Sequence, residues 1–215
     1  MGGIAALAEA ATFVVGIAMF ATMLSDYTSG DPTPAESVAF VADNQAALRI
    51  WYVVTLIVFG LVLVPLVLAI HDRLVDRTPI LARISAGFGL IWSGLVIAAG
   101  MVANVGVGTV SDLAETAPDN AESVWSALAA VLDGLGGGNE VTGGVWVLVI
   151  SGAALISGVL PRILNYIGIV SGLAGLVTVA PGMEPFEMIF GVGLILWFVW
   201  LGVALIRTNT ANTER

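Results

Sequence analysis

The sequence predicts an all-α protein: a polytopic membrane bundle of about six transmembrane helices, with both termini cytoplasmic and two short amphipathic outer helices. Hydrophobic residues make up 58% of the 215 residues and charged residues 11%, with a mean hydropathy of +1.00. A soluble domain carries about 25% charged residues. The apolar residues are also grouped into stretches of bilayer length, and the connections between them alternate between basic and acidic.

The apolar stretches predict the individual spans. We expect one membrane domain over residues 1–215, with spans at about 4–24, 50–70, 81–107, 141–160, 163–180 and 186–206. A helix of about 20 residues crosses the hydrocarbon core and satisfies its own backbone there. The first stretch lacks a basic leader, so we interpret it as a span and not as a signal peptide.

The charges predict the orientation. One set of alternate connections carries the basic residues Arg73, Arg77, Arg83, Arg162, Arg207 and Arg215. The other set carries the acids Asp26, Asp31, Glu36, Asp43, Asp112, Glu115, Asp119, Glu122, Asp133, Glu140, Glu184 and Glu187. Basic connections face the cytoplasm, so we expect both termini inside and an acidic outer surface.

Each of the two long outer loops contains a predicted helix. Thr33-Pro34-Ala35-Glu36 has the pattern of a capping box with proline at the first helical position. In the second loop, apolar residues recur at helical spacing from Val124 to Leu135, and a glycine run at 136–138 ends the pattern. We expect this second helix to lie on the membrane surface or to cap the bundle.

Several kinds of chemistry are excluded by composition. The chain has no cysteine, a single histidine (His71), and arginine as its only basic residue type besides that histidine. Thiol chemistry, a histidine-rich metal site and a lysine Schiff base are therefore not expected. We expect no catalytic residue, metal, cofactor or nucleic-acid partner, and no enzymatic activity.

Apart from Glu187 at the very start of the sixth span, Glu9 is the one acid inside a predicted span, about 7 Å beyond Ile4 at 1.5 Å per residue. Ala5, Thr12 and Gly16 share its helix face, so its side chain is predicted to point into the bundle. An intramembrane carboxyl group indicates a proton or cation path. The alternative is a structural role, as a protonated acid or as a buried pair with an arginine, either Arg83 or Arg162.

Other polar and aromatic residues have plainer interpretations. Arg49 is the only basic residue among the outer connections, and we expect it to contact an anionic ligand or to join the outer loops through ion pairs. Trp146 and Trp197 are interpreted as anchors at the membrane interface. Small residues four apart, as at Gly168 and Gly172, predict close helix contacts.

Three features resemble a known family. The chain has a glycine-rich start that runs into span one, an outer loop ending in a short helix before span two, and Leu160-Pro161-Arg162-Ile163-Leu164 followed by Gly168 at a tight turn. This layout is similar to a family of prokaryotic six-helix membrane proteins that is described as a domain of unknown function. The resemblance implies the fold and no catalytic residue.

Two functional hypotheses follow. The first is a structural or interaction component of the cytoplasmic membrane, which contacts the lipid bilayer and binds a protein partner or a second copy through its helix faces. The second is a small-solute or ion permease with a polar path near Glu9. We expect a prokaryotic source; the absence of lysine makes a halophile one candidate and an arginine-favouring genome another.

The predicted orientation can be tested because the chain contains no cysteine. In intact cells, a single cysteine introduced at position 36 or 122 should react with a membrane-impermeant maleimide, because both positions are predicted outside. A cysteine at position 77 should react only after the cells are opened. The reverse labelling pattern would show that the orientation is wrong.

Overall fold

The computed structural model describes residues 1–24, 32–137, 140–183 and 185–213, and every regular element in these ranges is helical. Asp26, Asp31, Gly138, Glu184 and Arg215, which entered the sequence predictions, lie outside the described residues. Within the described part of the chain the helices are α1 Gly2–Met23, α2 Pro34–Asp43, α3 Gln45–Tyr52, α4 Phe59–Leu74, α5 Pro79–Thr116, α6 Pro118–Leu132, α7 Val141–Ser157, α8 Arg162–Val177 and α9 Pro185–Thr213.

Two short π-helical segments interrupt this α-helical pattern. The first, π1, covers Val53–Val58 and joins α3 to α4, so that Gln45–Leu74 is one continuous helical segment. The second, π2, covers Asp133–Gly137 and follows α6. It contains Gly136 at a φ of 121°, which glycine adopts easily. The predicted helix end at the glycine run is therefore confirmed at Gly136.

Five helical segments in the described ranges are long and apolar enough to cross a bilayer. They are Gly2–Met23, Gln45–Leu74, Pro79–Thr116, Pro118–Ser157, which includes the undescribed residues 138 and 139, and Pro185–Arg207. The predicted span at 163–180 is the shorter helix α8, whose 16 residues extend about 24 Å. The chain is thus an all-α, multi-pass membrane bundle, and α8 falls short of the roughly 30 Å hydrocarbon core.

The helix ends assigned to the cytoplasm meet at one end of the bundle. A methyl group on Gly2 would lie 3.5 Å from the Leu205 side chain and would also touch Ala69, so the start of α1 adjoins the ends of α4 and α9. Arg77, from the α4–α5 connection, donates from Nη1 to the carbonyl of Ser157 at 2.6 Å. The side of the membrane that this end faces stays a prediction.

Helix α5 extends well beyond the predicted span at 81–107. Its 38 residues measure about 57 Å, so roughly half of it projects past a 30 Å hydrocarbon core. The projecting part is amphipathic, and its Val107 and Val110 are buried. It packs against α2, α3 and α6. We call these three helices and the outer half of α5 the outer cap.

The outer cap has a hydrophobic core of its own. Val41 from α2, Leu48 from α3, Val110 from α5 and Trp125 from α6 belong to one buried cluster. The two predicted outer helices are therefore confirmed, and α6 lies against α5. Because it does so, its apolar face is covered by protein.

The predicted capping box at the start of α2 is confirmed. The Glu36 carboxylate accepts hydrogen bonds from the Thr33 backbone N–H and from its hydroxyl group, both at 2.8 Å. In return the Thr33 hydroxyl oxygen accepts from the Glu36 N–H at 3.3 Å. The bond from the Thr33 backbone, followed by the one from its side chain, lowers the pKa of Glu36. The box therefore requires an ionised Glu36 and weakens in acid.

Glycine pairs bring two helix pairs into backbone contact. A Cβ on Gly144 of α7 would lie 2.7 Å from the carbonyl oxygen of Gly172 in α8, and a Cβ on Gly172 would lie 2.8 Å from that of Gly144. Gly3 of α1 and Gly202 of α9 are related in the same way, at 2.8 and 2.9 Å. Neither pair has room for a side chain, so these glycines set the separation of the helices.

Gly168 offers a test of this packing. A Cβ at Gly168 would overlap the Ser151 hydroxyl group and lie 2.8 Å from Nε1 of Trp197, whereas a Cβ at Gly152 would meet nothing within 4 Å. We expect Gly168→Ala to lower the thermal unfolding temperature in detergent. Gly152→Ala, the matched control, should leave it unchanged or raise it, because alanine favours a helix by about 1 kcal/mol over glycine. Equal melting temperatures for the two variants would contradict the close contact at Gly168.

Candidate functional site

Three tryptophans fill the centre of the bundle. Trp92, Trp146 and Trp197, from α5, α7 and α9, are each 2% exposed or less. The ring centroids of Trp92 and Trp146 are 5.7 Å apart, as are those of Trp146 and Trp197. The interpretation of Trp146 and Trp197 as interface anchors is therefore wrong. The sequence could not show this, because a tryptophan within a span can face either lipid or protein.

Phenylalanines extend this aromatic core towards α1 and α4. Phe59 packs edge-on against Trp92 with centroids 5.1 Å apart, and against Phe13 at 5.4 Å. Phe198 contacts Phe13 at 6.3 Å and Trp197 at 5.4 Å. Each such pair contributes about 0.5–1.5 kcal/mol beyond its buried area. Rings from five helices thus occupy the place where a central solute path would have to run.

Glu9 lies inside the protein, as its position in α1 predicted. Its side chain is 0% exposed. On one side of it along α1, Leu7 packs against α9 at Gly202. On the other side, Phe13 contacts Phe59 and Phe198. The carboxyl group is therefore set in the region where α1 meets α4 and α9.

Glu9 has no polar partner among the described residues. Neither Oε1 nor Oε2 takes part in a hydrogen bond, although the backbone carbonyl of Glu9 accepts one from the Thr12 hydroxyl group at 2.7 Å. Arg83 and Arg162 are both exposed, near the starts of α5 and α8. The proposed buried pair between Glu9 and Arg83 is therefore absent from the described structure.

A cavity of about 170 Å³ lies one helical turn from Glu9, between α1 and the α3–π1 segment. It is lined by Thr12, Phe13, Gly16, Ile17, Trp51 and Thr55, and Glu9 does not line it. Its two hydroxyl groups are engaged locally, because Thr12 donates to Glu9 O and Thr55 donates to Trp51 O, each at 2.7 Å. The cavity thus presents mainly apolar groups beside the carboxyl group.

Arg49 lies between α3 and α5 in the outer cap. Its guanidinium group contacts Gly108, and its backbone carbonyl accepts a hydrogen bond from Nδ2 of Asn104 at 3.0 Å. Its Nε is buried without a partner among the described residues. No ion pair joins it to a carboxylate in that part of the chain. Its position in the outer cap agrees with the prediction, whereas the predicted ion pairs are not found there.

Arg77 has a structural role beyond the orientation that its charge predicted. The hydrogen bond from Arg77 to Ser157 satisfies a carbonyl at the last turn of α7, where helix carbonyls lack an intrahelical partner. The two residues are 80 positions apart in the sequence. No local pattern could have predicted this contact.

A groove between α8 and α9, on the outside of the bundle, was not predicted from the sequence. It encloses about 590 Å³ and is lined by apolar side chains that include Ile163, Val170, Ile189 and Val192. A neighbouring cavity of about 220 Å³ shares Val170 and Ile189 with it and extends to Val177. Together they follow α8 for 14 residue steps, about 21 Å. We call this continuous furrow the α8–α9 groove.

Two polar side chains, Tyr166 and Ser171, line the groove. Tyr166 is 57% exposed and lines the groove one turn from the start of α8. Arg162, also exposed, is the first residue of α8. The hydroxyl group of Ser171, farther along, donates to the carbonyl of Ile167 at 2.9 Å. The groove is therefore a long apolar channel with a phenolic group near its predicted cytoplasmic end, and the exposed Arg162 begins α8 at that end.

Comparison with known proteins agrees with this architecture and adds no activity. No curated protein and no solved structure gives a significant match to the chain. A family model described as a domain of unknown function, DUF4386, matches residues 2–207. This match includes every membrane helix, the outer cap and the α8–α9 groove. The chain, a multi-pass helical membrane protein, is therefore a member of the DUF4386 family.

Proposed function

We propose that this protein is a structural, non-enzymatic component of the prokaryotic cytoplasmic membrane that holds an anionic phospholipid in the α8–α9 groove. The observation that carries the proposal is the groove itself, which is long and apolar and has as one wall α8, a helix that begins with the exposed Arg162. An acyl chain would occupy the apolar length between Ile163 and Val177. The headgroup phosphate would lie at the end that carries Arg162 and Tyr166.

The packing of α8 supports a lipid in preference to a protein helix. Membrane helices associate closely where small residues let their backbones approach. The small residues of α8 are already used inside the molecule: Gly168 faces Trp197, Gly172 faces Leu148 and Gly175 faces Phe190. Its outward residues are larger, and Ile163 and Val170 are 62% and 59% exposed. Such a surface suits a flexible acyl chain better than a second helix.

The charge at the groove supports an anionic headgroup. Basic residues at the cytoplasmic membrane surface attract anionic lipids by about 1 kcal/mol each. Arg162 is exposed and begins the helix that forms one wall of the groove. In addition α8 is shorter than the bilayer core. A resident lipid would cover the apolar surface that so short a helix leaves beside α9.

A permease with a path near Glu9 is the second candidate. A fully buried carboxyl group with no partner among the described residues is the observation that favours it, because such groups in membrane helices commonly relay protons or ions. The aromatic core and the apolar lining of the cavity beside Thr12 count against it.

We also propose that the outer surface is acidic as an adaptation to high salt, in keeping with the lysine-free composition.

The lipid proposal is tested by native mass spectrometry of the protein purified with a mixture of phosphatidylglycerol and phosphatidylcholine. We expect retained phosphatidylglycerol. Val170→Trp and Val192→Trp should abolish retention by filling the groove. Arg162→Gln should weaken it about fivefold, through loss of about 1 kcal/mol of attraction.

Two variants serve as matched controls. Arg83→Gln removes a charge at the same end of the bundle, and Val14→Trp adds the same bulk to an exposed position of α1. Both should bind lipid like the wild-type protein. Wild-type lipid retention by the two groove variants would refute the proposal. Loss of a dimer in those variants would also refute it, by identifying a second copy as the occupant.

Substitution of Glu9 separates the two candidate functions. An unpartnered buried carboxyl group costs free energy, so Glu9→Met, with a similar volume and no charge, should raise the thermal unfolding temperature if the role is structural. Glu9→Gln should leave proton and cation flux in reconstituted vesicles unchanged. Flux that the wild-type protein carries and Glu9→Gln abolishes would establish the permease instead.

A further inference from the structure

The outer cap encloses a cavity of about 190 Å³ that differs in character from the α8–α9 groove. Its lining includes three aromatic residues, Trp51, Tyr52 and Trp125, together with Leu56, Leu132 and Asp133. Tyr52 is 22 residues from the end of α4, about 33 Å along the helix. The cavity therefore lies near the outer limit of a 30 Å hydrocarbon core.

The aromatic side chains that line the cavity are held in place by contacts outside it. Nε1 of Trp51 donates to the carbonyl of Gly16 in α1 at 3.0 Å, which fixes the indole ring. The Trp51 and Tyr52 rings pack edge to face with centroids 5.1 Å apart. Trp125 is 5% exposed and belongs to the core of the outer cap. A ligand would therefore meet three preorganised rings, whose electron-rich faces attract cations.

The charge at the cavity favours the same class of ligand. Asp133 is exposed, and its carboxylate forms no ion pair or hydrogen bond within the described residues. The surrounding outer cap carries an excess of carboxylates over its single arginine, Arg49. That arginine lies against Gly108. A surface with this balance raises the local concentration of cations.

Both π-helical segments of the described structure border this cavity. Leu56 is in π1, and Asp133 is the first residue of π2. A π-helical turn contains one residue more than an α-helical turn and rotates the residues beyond it by about 100°. Such turns are uncommon and are often found at functional sites. Here π1 separates Trp51 and Tyr52 from the register of α4, whereas π2, which begins at Asp133, is broken by a kink at Gly136.

We propose that this cavity binds a small organic cation, a quaternary ammonium group, with its alkyl substituents against Trp51, Tyr52 and Trp125 and its charge compensated by Asp133. A pocket of aromatic rings with one carboxylate is suited to an ammonium ion, because such an ion is only weakly hydrated once it is alkylated. The site is independent of the α8–α9 groove, and its occupant carries the opposite charge to a phosphate.

The proposal is tested by isothermal titration calorimetry, with tetramethylammonium as the probe. The purified protein is kept in a non-ionic detergent, so that no detergent headgroup carries an ammonium group. We expect saturable binding to the wild-type protein. Asp133→Asn should weaken it about tenfold, and Ala129→Leu should abolish it, because Ala129 lines the cavity and a larger side chain would fill it. Glu115→Gln, which removes an exposed charge elsewhere on the outer cap, is the matched control and should bind normally.

Three results would overturn the proposal. They are the absence of saturable binding to the folded wild-type protein, equal binding by Asp133→Asn, and equal binding of the neutral isostere tert-butanol, which would indicate an apolar cavity only. Because Asp133 is exposed, its substitution should leave the melting temperature unchanged, and this measurement confirms that the variant is folded.

A further arm identifies the source of the cation. In nanodiscs of phosphatidylcholine the lipid headgroup would compete with tetramethylammonium if it can reach the site, whereas nanodiscs of phosphatidylglycerol would not compete. Competition by phosphatidylcholine assigns the site to a lipid headgroup, and its absence assigns the site to a soluble ammonium ion. In both cases the site recognises a quaternary ammonium group.

Discussion

The backbone contacts at glycine are the constraint on which the rest of the bundle depends. Helices in a lipid bilayer gain little from burying apolar surface against one another, because lipid is equally apolar. Their association depends on close packing, and Gly3 with Gly202 and Gly144 with Gly172 provide it. Since α9 packs against both α1 and α8, the first of these contacts and the packing at Gly168 fix α9 between its two neighbours.

The close helix contacts at these glycines determine how much space remains inside the bundle for the other side chains. The large rings must then share the space between α1, α4, α5, α7 and α9, where Trp146 and Phe198 are fully packed. The interior is consequently dense and mainly apolar, with Glu9 as an exception, and the cavities described above lie towards the periphery. This division explains why both proposed ligands are assigned to surfaces, one within the bilayer and one at its outer edge.

The fold could be predicted from the sequence because its causes are local. Apolar stretches of bilayer length, the capping box at Thr33 and the glycine break at Gly136 each act within a few residues. The predicted spans nevertheless differ from the helices in extent. The amphipathic half of α5 lies outside the apolar stretch, and α8 ends at Val177.

The candidate site could be predicted only in part because its properties arise between helices. The position of Glu9 within a span can be predicted from the neighbouring sequence. Its lack of a polar partner depends on the placement of Arg83 and Arg162, which are distant in the sequence. Tryptophan is a residue type that is common at membrane interfaces. Only the packing of Trp146 and Trp197 shows that these two side chains are internal. The α8–α9 groove involves residues of two helices that are about 25 positions apart in the sequence, such as Ile163 and Met188.

The uninterrupted course of α5 has a mechanical consequence. One helix carries the outer cap at one end and begins at the predicted cytoplasmic connection at the other, with no proline or π-helical turn after Pro79. An uninterrupted helix of about 57 Å acts as a stiff lever. A torque applied to the outer cap would therefore tilt or turn α5 as a unit. The parallel connection through α3 and α4, in contrast, contains a joint at π1 that can absorb such strain.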